Sequence, residues 1–258
     1  MRTALVVLSI LFAPSLAAAE VADVHDTWNA LVQRYVVDER WVDYSAWHAS
    51  EEDLQTLTEV VEAYESVDPS TLTDDQKVAF WLNVYNAATV ELVLEHYPVD
   101  SIKDIGGLIG SPWGMERVTV AGETLTLDQI QHDKLDPVAQ DARVHFALNC
   151  ASVGCPPLAP FAFTGDAIDE QLDRVARRAV TDPEWVDLTG CTGTYGDGTI
   201  RLTKIFDWYR DDFGGDEGVR EFLARYRPDD AFRLRNTSCS LDFSGYDWNL
   251  NAPPASRS

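Results

Sequence analysis

The chain has 258 residues, a formal net charge of −23 and 45% hydrophobic content, with eight Trp, nine Tyr and ten Phe. Such acidity argues against nucleic acid and anionic membrane surfaces as partners, because both are held through Lys and Arg. The apolar and aromatic content is enough for a sizeable core, which sets the chain apart from disordered sequences.

Residues 1–19 read as a secretory leader. Arg2 supplies a positive start, Leu5 to Leu16 is largely apolar, and Ala17-Ala18-Ala19 fits a cleavage site. No cysteine follows this run, which argues against a lipid anchor. No later segment reaches the roughly 18 uninterrupted apolar residues of a membrane span. The remainder, 20–251, is expected to form one domain, followed by a disordered tail at 252–258.

Val21 to Val36 has helical spacing, with Val24, Trp28, Leu31 and Tyr35 on one side. Val42 to Trp47 reads as a short connection. Glu51 to Val67 is a second amphipathic helix. Thr73-Asp-Asp-Gln76 is a capping box that opens a third, and Pro98 stops it. That helix is apolar on nearly every side from Val78 to Val90, which predicts burial. Asn83 and Asn86 then share an interior face, and both need hydrogen-bond partners.

Past Gly106-Gly107, Arg117 to Val120 and Glu123 to Leu125 read as a hairpin across Ala121-Gly122. Thr126-Leu-Asp-Gln129 is another capping box, opening a short helix through His132. Val144 to Leu148 reads as a buried strand carrying His145 into Cys150. Asp166 to Val180 is helical. Trp185 to Leu188 and Thr199 to Leu202 read as strands around the turn Tyr195-Gly-Asp-Gly198. Phe206 to Asp212 and Gly218 to Tyr226 are helical, and Leu241 to Trp248 is extended. The whole predicts a helix-rich α+β domain with a small, mostly antiparallel sheet and a buried central helix.

Arg143-Val-His-Phe-Ala-Leu-Asn-Cys-Ala-Ser-Val-Gly-Cys-Pro-Pro-Leu158 is the candidate site. A cysteine nucleophile needs a base, and the base needs an orienting group. Cys150 fits the first role, His145 or His132 the second, and Asn83 or Asn86 the third. His145 lies roughly 16 Å of extended chain before Cys150, so contact requires the chain to fold back. The alternative is structural. Four cysteines in an exported chain suggest disulfides, with Cys150–Cys155 and Cys191–Cys239 favoured because each pair lies within one region. Redox exchange is a third option, although the spacing is not that of a thioredoxin-like pair.

No metal-ligand spacing, nucleophile elbow or phosphate loop is present, so no cofactor and no metal is expected. Asp211-Asp212 reads as the exposed end of a helix. Trp113, Trp208 and Trp248 either line a groove or belong to the core. The acidic balance means either a solvated surface or selective binding of cationic ligands.

Ala79 to Ala87, Tyr97-Pro98 with Ile102, Leu127 to His132, His145 to Leu158, Ile205 to Phe213 and Tyr246 to Asn251 together resemble, in order, the blocks of the domain of unknown function 547 family. The resemblance spans Val42 to Asn251 and, with the leader, implies an exported bacterial member. It implies a cleft shared by Asn83, Asn86, His132 and His145. Some eukaryotic relatives join this domain to glutaredoxin-like or DEP domains, and some carry serines in place of the cysteines. Gln131 stands where the family pattern has a glutamate, and Asp136-Pro137 stand where an arginine is expected.

Two functions follow as expectations. One is a cysteine-dependent hydrolase or acyl-transferase acting on a peptide-like amide. The other is a non-catalytic envelope module that holds a small molecule or peptide in the same polar cleft. Either is expected in the periplasm or secreted, without membrane insertion once the leader is removed.

Overall fold

A single helix organises the molecule. In the computed structural model, which describes residues 16–106, 110–192, 198–236, 238–243 and 245–254, every residue from Val78 to Leu94 on that helix is buried. The chain reaches it through α1 (Leu16–Tyr35), the short antiparallel pair β1 (Val36–Val37) and β2 (Trp41–Val42), α2 (Tyr44–His48) and α3 (Glu51–Glu65). The central helix is α4 (Asp74–Glu95). Thr73 accepts from the Gln76 N–H while the Gln76 side chain accepts from the Thr73 N–H, closing the predicted capping box.

The hairpin β3 (Glu116–Val120) and β4 (Glu123–Thr126) leads into α5 (Leu127–Gln129), itself opened by the second capping box. A π turn, Ile130–Leu135, continues into α6 (Asp136–Ala139). Then come α7 (Ile168–Thr181), β5 (Val186–Asp187), β6 (Thr199–Leu202), α8 (Ile205–Trp208), α9 (Gly215–Tyr226), α10 (Ala231–Asn236) and β7 (Ser240–Phe243). Strands β5 and β6 pair antiparallel, while β6 and β7 pair parallel. Helices dominate and the sheets are small, as the α+β reading requires. Helices α2, α6 and α10 have no counterpart in the sequence reading, which took Val42 to Trp47 as a connection.

One predicted element is wrong. Val144 to Leu148 is not a strand, and α4 does not pack on a sheet there. Ala142–Phe146 is a 3-10 turn whose N-cap, Asp141, accepts from the Arg143 N–H. The Arg143 guanidinium reaches Asp141, Asp169 and Asp173, which pins this turn to α7. A five-residue apolar run has no periodicity that separates a buried strand from a buried turn, and here the local cap and the ion pairs decide.

Several expectations fall on undescribed positions. Residues 1–15 of the leader, Gly107, most of the Tyr195–Gly198 turn and residues 255–258 of the tail lie outside the described residues. Within the described part, α1 runs on through Ala19. Asn251 and Ala252 are buried, and Asn251 accepts from the Tyr44 hydroxyl. Among the described residues no helix is long and apolar enough to cross a membrane.

Asn83 and Asn86 are satisfied by backbone. Asn83 donates to Phe163 O and accepts from Phe163 N, at 2.8 and 2.9 Å. Asn86 donates to Ala147 O and accepts from Asn149 N, both at 2.9 Å. Each amide thus stands in for a strand neighbour beside an irregular segment that has none. Removing it strands two buried backbone groups, each worth about 1–3 kcal/mol. Asn86→Ala is therefore expected to lower unfolding free energy by at least about 2 kcal/mol, measured by urea titration. A near-neutral result would mean that the clamp is dispensable.

His25 on α1 is buried beside Tyr64, and its Nε2 has no partner among the described residues. Burial lowers its pKa from 6.5 to about 4. The unfolded chain therefore takes up this proton first as pH falls. The stabilisation is complete above about 6.5, declines between 6.5 and 4, and amounts to on the order of 3 kcal/mol. His25→Phe keeps a ring against Tyr64 and is expected to flatten that part of the stability–pH curve. Equal acid sensitivity of variant and parent would show that His25 is not held neutral.

Candidate functional site

The loop after the 3-10 turn crosses the interior without regular structure, so its backbone needs other partners. Asn149, fully buried, donates to Pro156 O at 2.8 Å and accepts from the Ala151 N–H at 3.1 Å. The C-terminal segment supplies the rest. Val153 N donates to Asn249 O, Gly154 N to Asp247 O, and Asn251 N to Ala151 O. Ala151 adopts the left-handed region at φ 54, a strained conformation for a residue with a Cβ. Gly154 is required by close approach, because a Cβ there would lie 2.9 Å from Asp247 N and 3.0 Å from the Tyr246 ring.

This packing brings Tyr246 onto the sulfurs. Cys150 and Cys155 are bonded, as are Cys191 and Cys239, the pairing favoured from the sequence. The Tyr246 hydroxyl stands 2.9 Å from Cys150 Sγ. A disulfide sulfur carries no hydrogen, so the phenol donates. Ser152 in turn donates to the Tyr246 oxygen at 2.8 Å. Burial raises the Tyr246 pKa well above that of a free phenol, so it keeps its proton. The Cys150 N–H points at Cys155 Sγ, 2.8 Å away.

The bridge forms part of the wall of a cleft of about 240 Å³. Tyr85 comes from α4, Trp113 from the 3-10 turn Pro112–Gly114, Trp208 and Tyr209 from the end of α8, and Trp248 from the C-terminal segment. Trp113 and Trp248 meet edge-on with centroids 5.8 Å apart, and Trp208 lies 6.0 Å from Trp248. Trp208 is 47% exposed, which is unusual for so large an apolar ring. Lys103 Nζ sits 4.4 Å from the Trp248 ring centroid. Asp128, Gln131, His132 and His145 add polar groups to the lining, and Leu148 and Ile205 apolar ones.

His145 is 3% exposed and stacks on Tyr209 at a centroid distance of 3.7 Å. Its Nε2 lies 2.8 Å from Asp212 Oδ2. Burial lowers its pKa, against the opposing pull of Asp212, which favours the neutral ring at neutral pH. A carboxylate only accepts, so Nε2 carries the hydrogen and Nδ1 carries the lone pair. Nδ1 is buried and has no partner among the described residues. His145 and Asp212 also line a second hollow of about 200 Å³ together with Asp136, whose buried Oδ1 is equally unpartnered. His132 pairs separately, Nδ1 to Asp136 Oδ2 at 3.0 Å.

Of the residues chosen from the sequence, Cys150, His145 and His132 meet in one cleft. Asn83 and Asn86 do not line it; they are spent on backbone. His145 is oriented by Asp212 rather than by an asparagine, and Cys150 has Tyr246 and Ser152 as its polar neighbours rather than an imidazole. Asp212, Tyr209 and Tyr246 were missed. Asp212 looked like an exposed helix end, and it is half exposed, but its carboxylate faces a buried ring. Trp113, Trp208 and Trp248 take the groove alternative.

Comparison with known proteins adds one match. No curated protein and no solved structure matches the chain. Residues 69–179, which contain α4, the π turn with His132 and the loop from His145 to Cys155, match the family model described as "Protein of unknown function, DUF547", so the resemblance holds over that stretch, while Tyr209, Asp212, Tyr246 and Trp248 lie beyond it.

Proposed function

We propose that the protein is a binding module that holds a small organic cation in the aromatic cleft. The observation that carries this is the convergence of five rings, Tyr85, Trp113, Trp208, Tyr209 and Trp248, from separate chain segments onto one cavity beside Asp128. Ring faces are negative and attract cations, with about 0.5–2 kcal/mol per contact as desolvation increases. The Lys103 ammonium against Trp248 supports that affinity. The net charge of −23 raises the local concentration of cations further. A leader-like N-terminus and two disulfides support a place outside the cytoplasm, periplasmic or secreted.

The test uses choline and its uncharged carbon isostere, 3,3-dimethyl-1-butanol. Choline is expected to quench tryptophan fluorescence saturably and to raise Tm, with little response to the alcohol. Trp208→Ala is expected to weaken choline binding roughly tenfold, the equivalent of about 1.4 kcal/mol. Equal responses to the two ligands, or none, would remove the cationic reading.

A cysteine-dependent hydrolase or acyl-transferase is the second reading. It is favoured by one observation, the buried His145 Nδ1 with a free lone pair in the same cleft as Cys150. It requires the bridge to be open, because a bonded sulfur is not a nucleophile. Native protein is expected to take up no iodoacetamide, and amide or ester turnover should then appear only after mild reduction. Turnover by the fully oxidised protein, or none after reduction, would exclude Cys150 as its nucleophile.

A further inference from the structure

The two bridges occupy different surroundings. Cys191 and Cys239 are each 1% exposed and lie in the hydrophobic core. Both cysteines of the other bridge line the cleft, but Cys150 is only partly buried while Cys155 is 4% exposed. Cys150 is therefore the more accessible sulfur to a thiolate entering the cleft.

The Cys150–Cys155 bridge is also a poor staple. It closes a loop of sequence separation 5, against 48 for Cys191–Cys239, and short loops gain least from closure. The loop is already held by Asn86, Asn149 and the backbone of the C-terminal segment. None of these hydrogen bonds involves the S–S bond, so opening it leaves them in place.

From these placements we propose that Cys150–Cys155 is a thiol–disulfide exchange centre, with Cys150 the sulfur attacked from the cleft and Cys155 the leaving thiolate. In the first step a substrate thiolate attacks Cys150 Sγ. A substrate–Cys150 bond forms, the Cys150–Cys155 bond breaks, and the electron pair leaves on Cys155 Sγ. The Cys150 N–H, 2.8 Å from that sulfur, stabilises the developing anion. In the second step another thiolate of the same dithiol attacks the substrate sulfur, and Cys150 leaves as thiolate. The Tyr246 hydroxyl, 2.9 Å away, donates to it. The protons lost by the substrate thiols end on the two cysteines. One dithiol becomes a disulfide, one protein disulfide becomes two thiols, and a single turnover needs no other oxidant. The substrate class is a small or peptidic dithiol able to enter an aromatic cleft. This proposal does not rest on the cation reading.

The test uses the intact mature protein, reduced glutathione as the probe, acid quenching, alkylation and peptide mapping by mass. The Cys150–Cys155 bridge is expected to open at least tenfold faster than Cys191–Cys239, in native buffer, with the glutathione adduct on Cys150. In Cys155→Ser, oxidised glutathione should cap the remaining Cys150 thiol. In Cys150→Ser, the buried Cys155 should react at least tenfold more slowly. Tyr246→Phe is expected to slow resolution of the mixed disulfide at unchanged circular dichroism. Opening of both bridges together, opening only in step with unfolding in denaturant, or an adduct on Cys155 would each overturn the proposal. Because the readout is sulfur chemistry without choline, failure here and failure of cation binding are separately visible.

Discussion

A non-repetitive chain segment cannot cross a protein interior unless each of its N–H and C=O groups finds a partner. The Ala147–Pro156 loop meets this demand with asparagine side chains. Asn86 holds both Ala147 and Asn149, and Asn149 holds Ala151 and Pro156. Asn251 joins the set from the far end of the chain, bonding Ala151 and Asn149 while accepting from Tyr44. An amide carries both a donor and an acceptor on one short arm, as a peptide unit does, so it can replace a missing strand neighbour. The position of the disulfide, and hence one wall of the cleft, follows from these amides.

The same constraint explains why the cleft is assembled from distant segments. Once the loop is fixed to α4, its exposed side still needs cover. Val153 and Gly154 donate backbone bonds to the Asp247–Asn249 segment, and this delivers Tyr246 to Cys150 and Trp248 to Trp113. The stretch matching DUF547 supplies Tyr85, Trp113, the histidines and the sulfurs, whereas residues beyond it supply Trp208, Tyr209, Asp212 and Trp248. The matched stretch thus builds the floor, and the C-terminal third adds much of the aromatic wall and the partner of His145.

What the sequence disclosed, and what it hid, divides along the range of the forces involved. Thr73 with Gln76 and Thr126 with Gln129 act within one helical turn, so both helix starts were legible. The uninterrupted apolar face of α4 announced burial because no amphipathic helix has that composition. The disulfide pairing was readable from regional proximity. Val144 to Leu148 was misread because its conformation is set by the Asp141 cap together with Arg143 reaching Asp169 and Asp173 on another helix, and the latter contacts have no local signature. Asn83 and Asn86 were correctly placed inside and wrongly placed in the cleft. Burial follows from pattern, but a partner chosen from a segment tens of residues away does not.

The electrostatics of the cleft join its two proposed roles. His145 is held near neutrality by burial and Tyr246 keeps its proton, while a bonded sulfur carries no charge at all. Among the described residues of the lining, Asp128 is the one acidic group, and the aromatic faces there also favour positive charge. Opening the bridge changes that balance in one direction only. Where a cysteine stands as thiolate, it adds negative charge beside the rings, which strengthens attraction for a cation. By reciprocity a bound cation would favour whichever sulfur state carries the negative charge. On the two proposals together, ligand occupancy and sulfur oxidation state would be coupled through one charge, at a loop whose amide bonds do not involve the S–S bond.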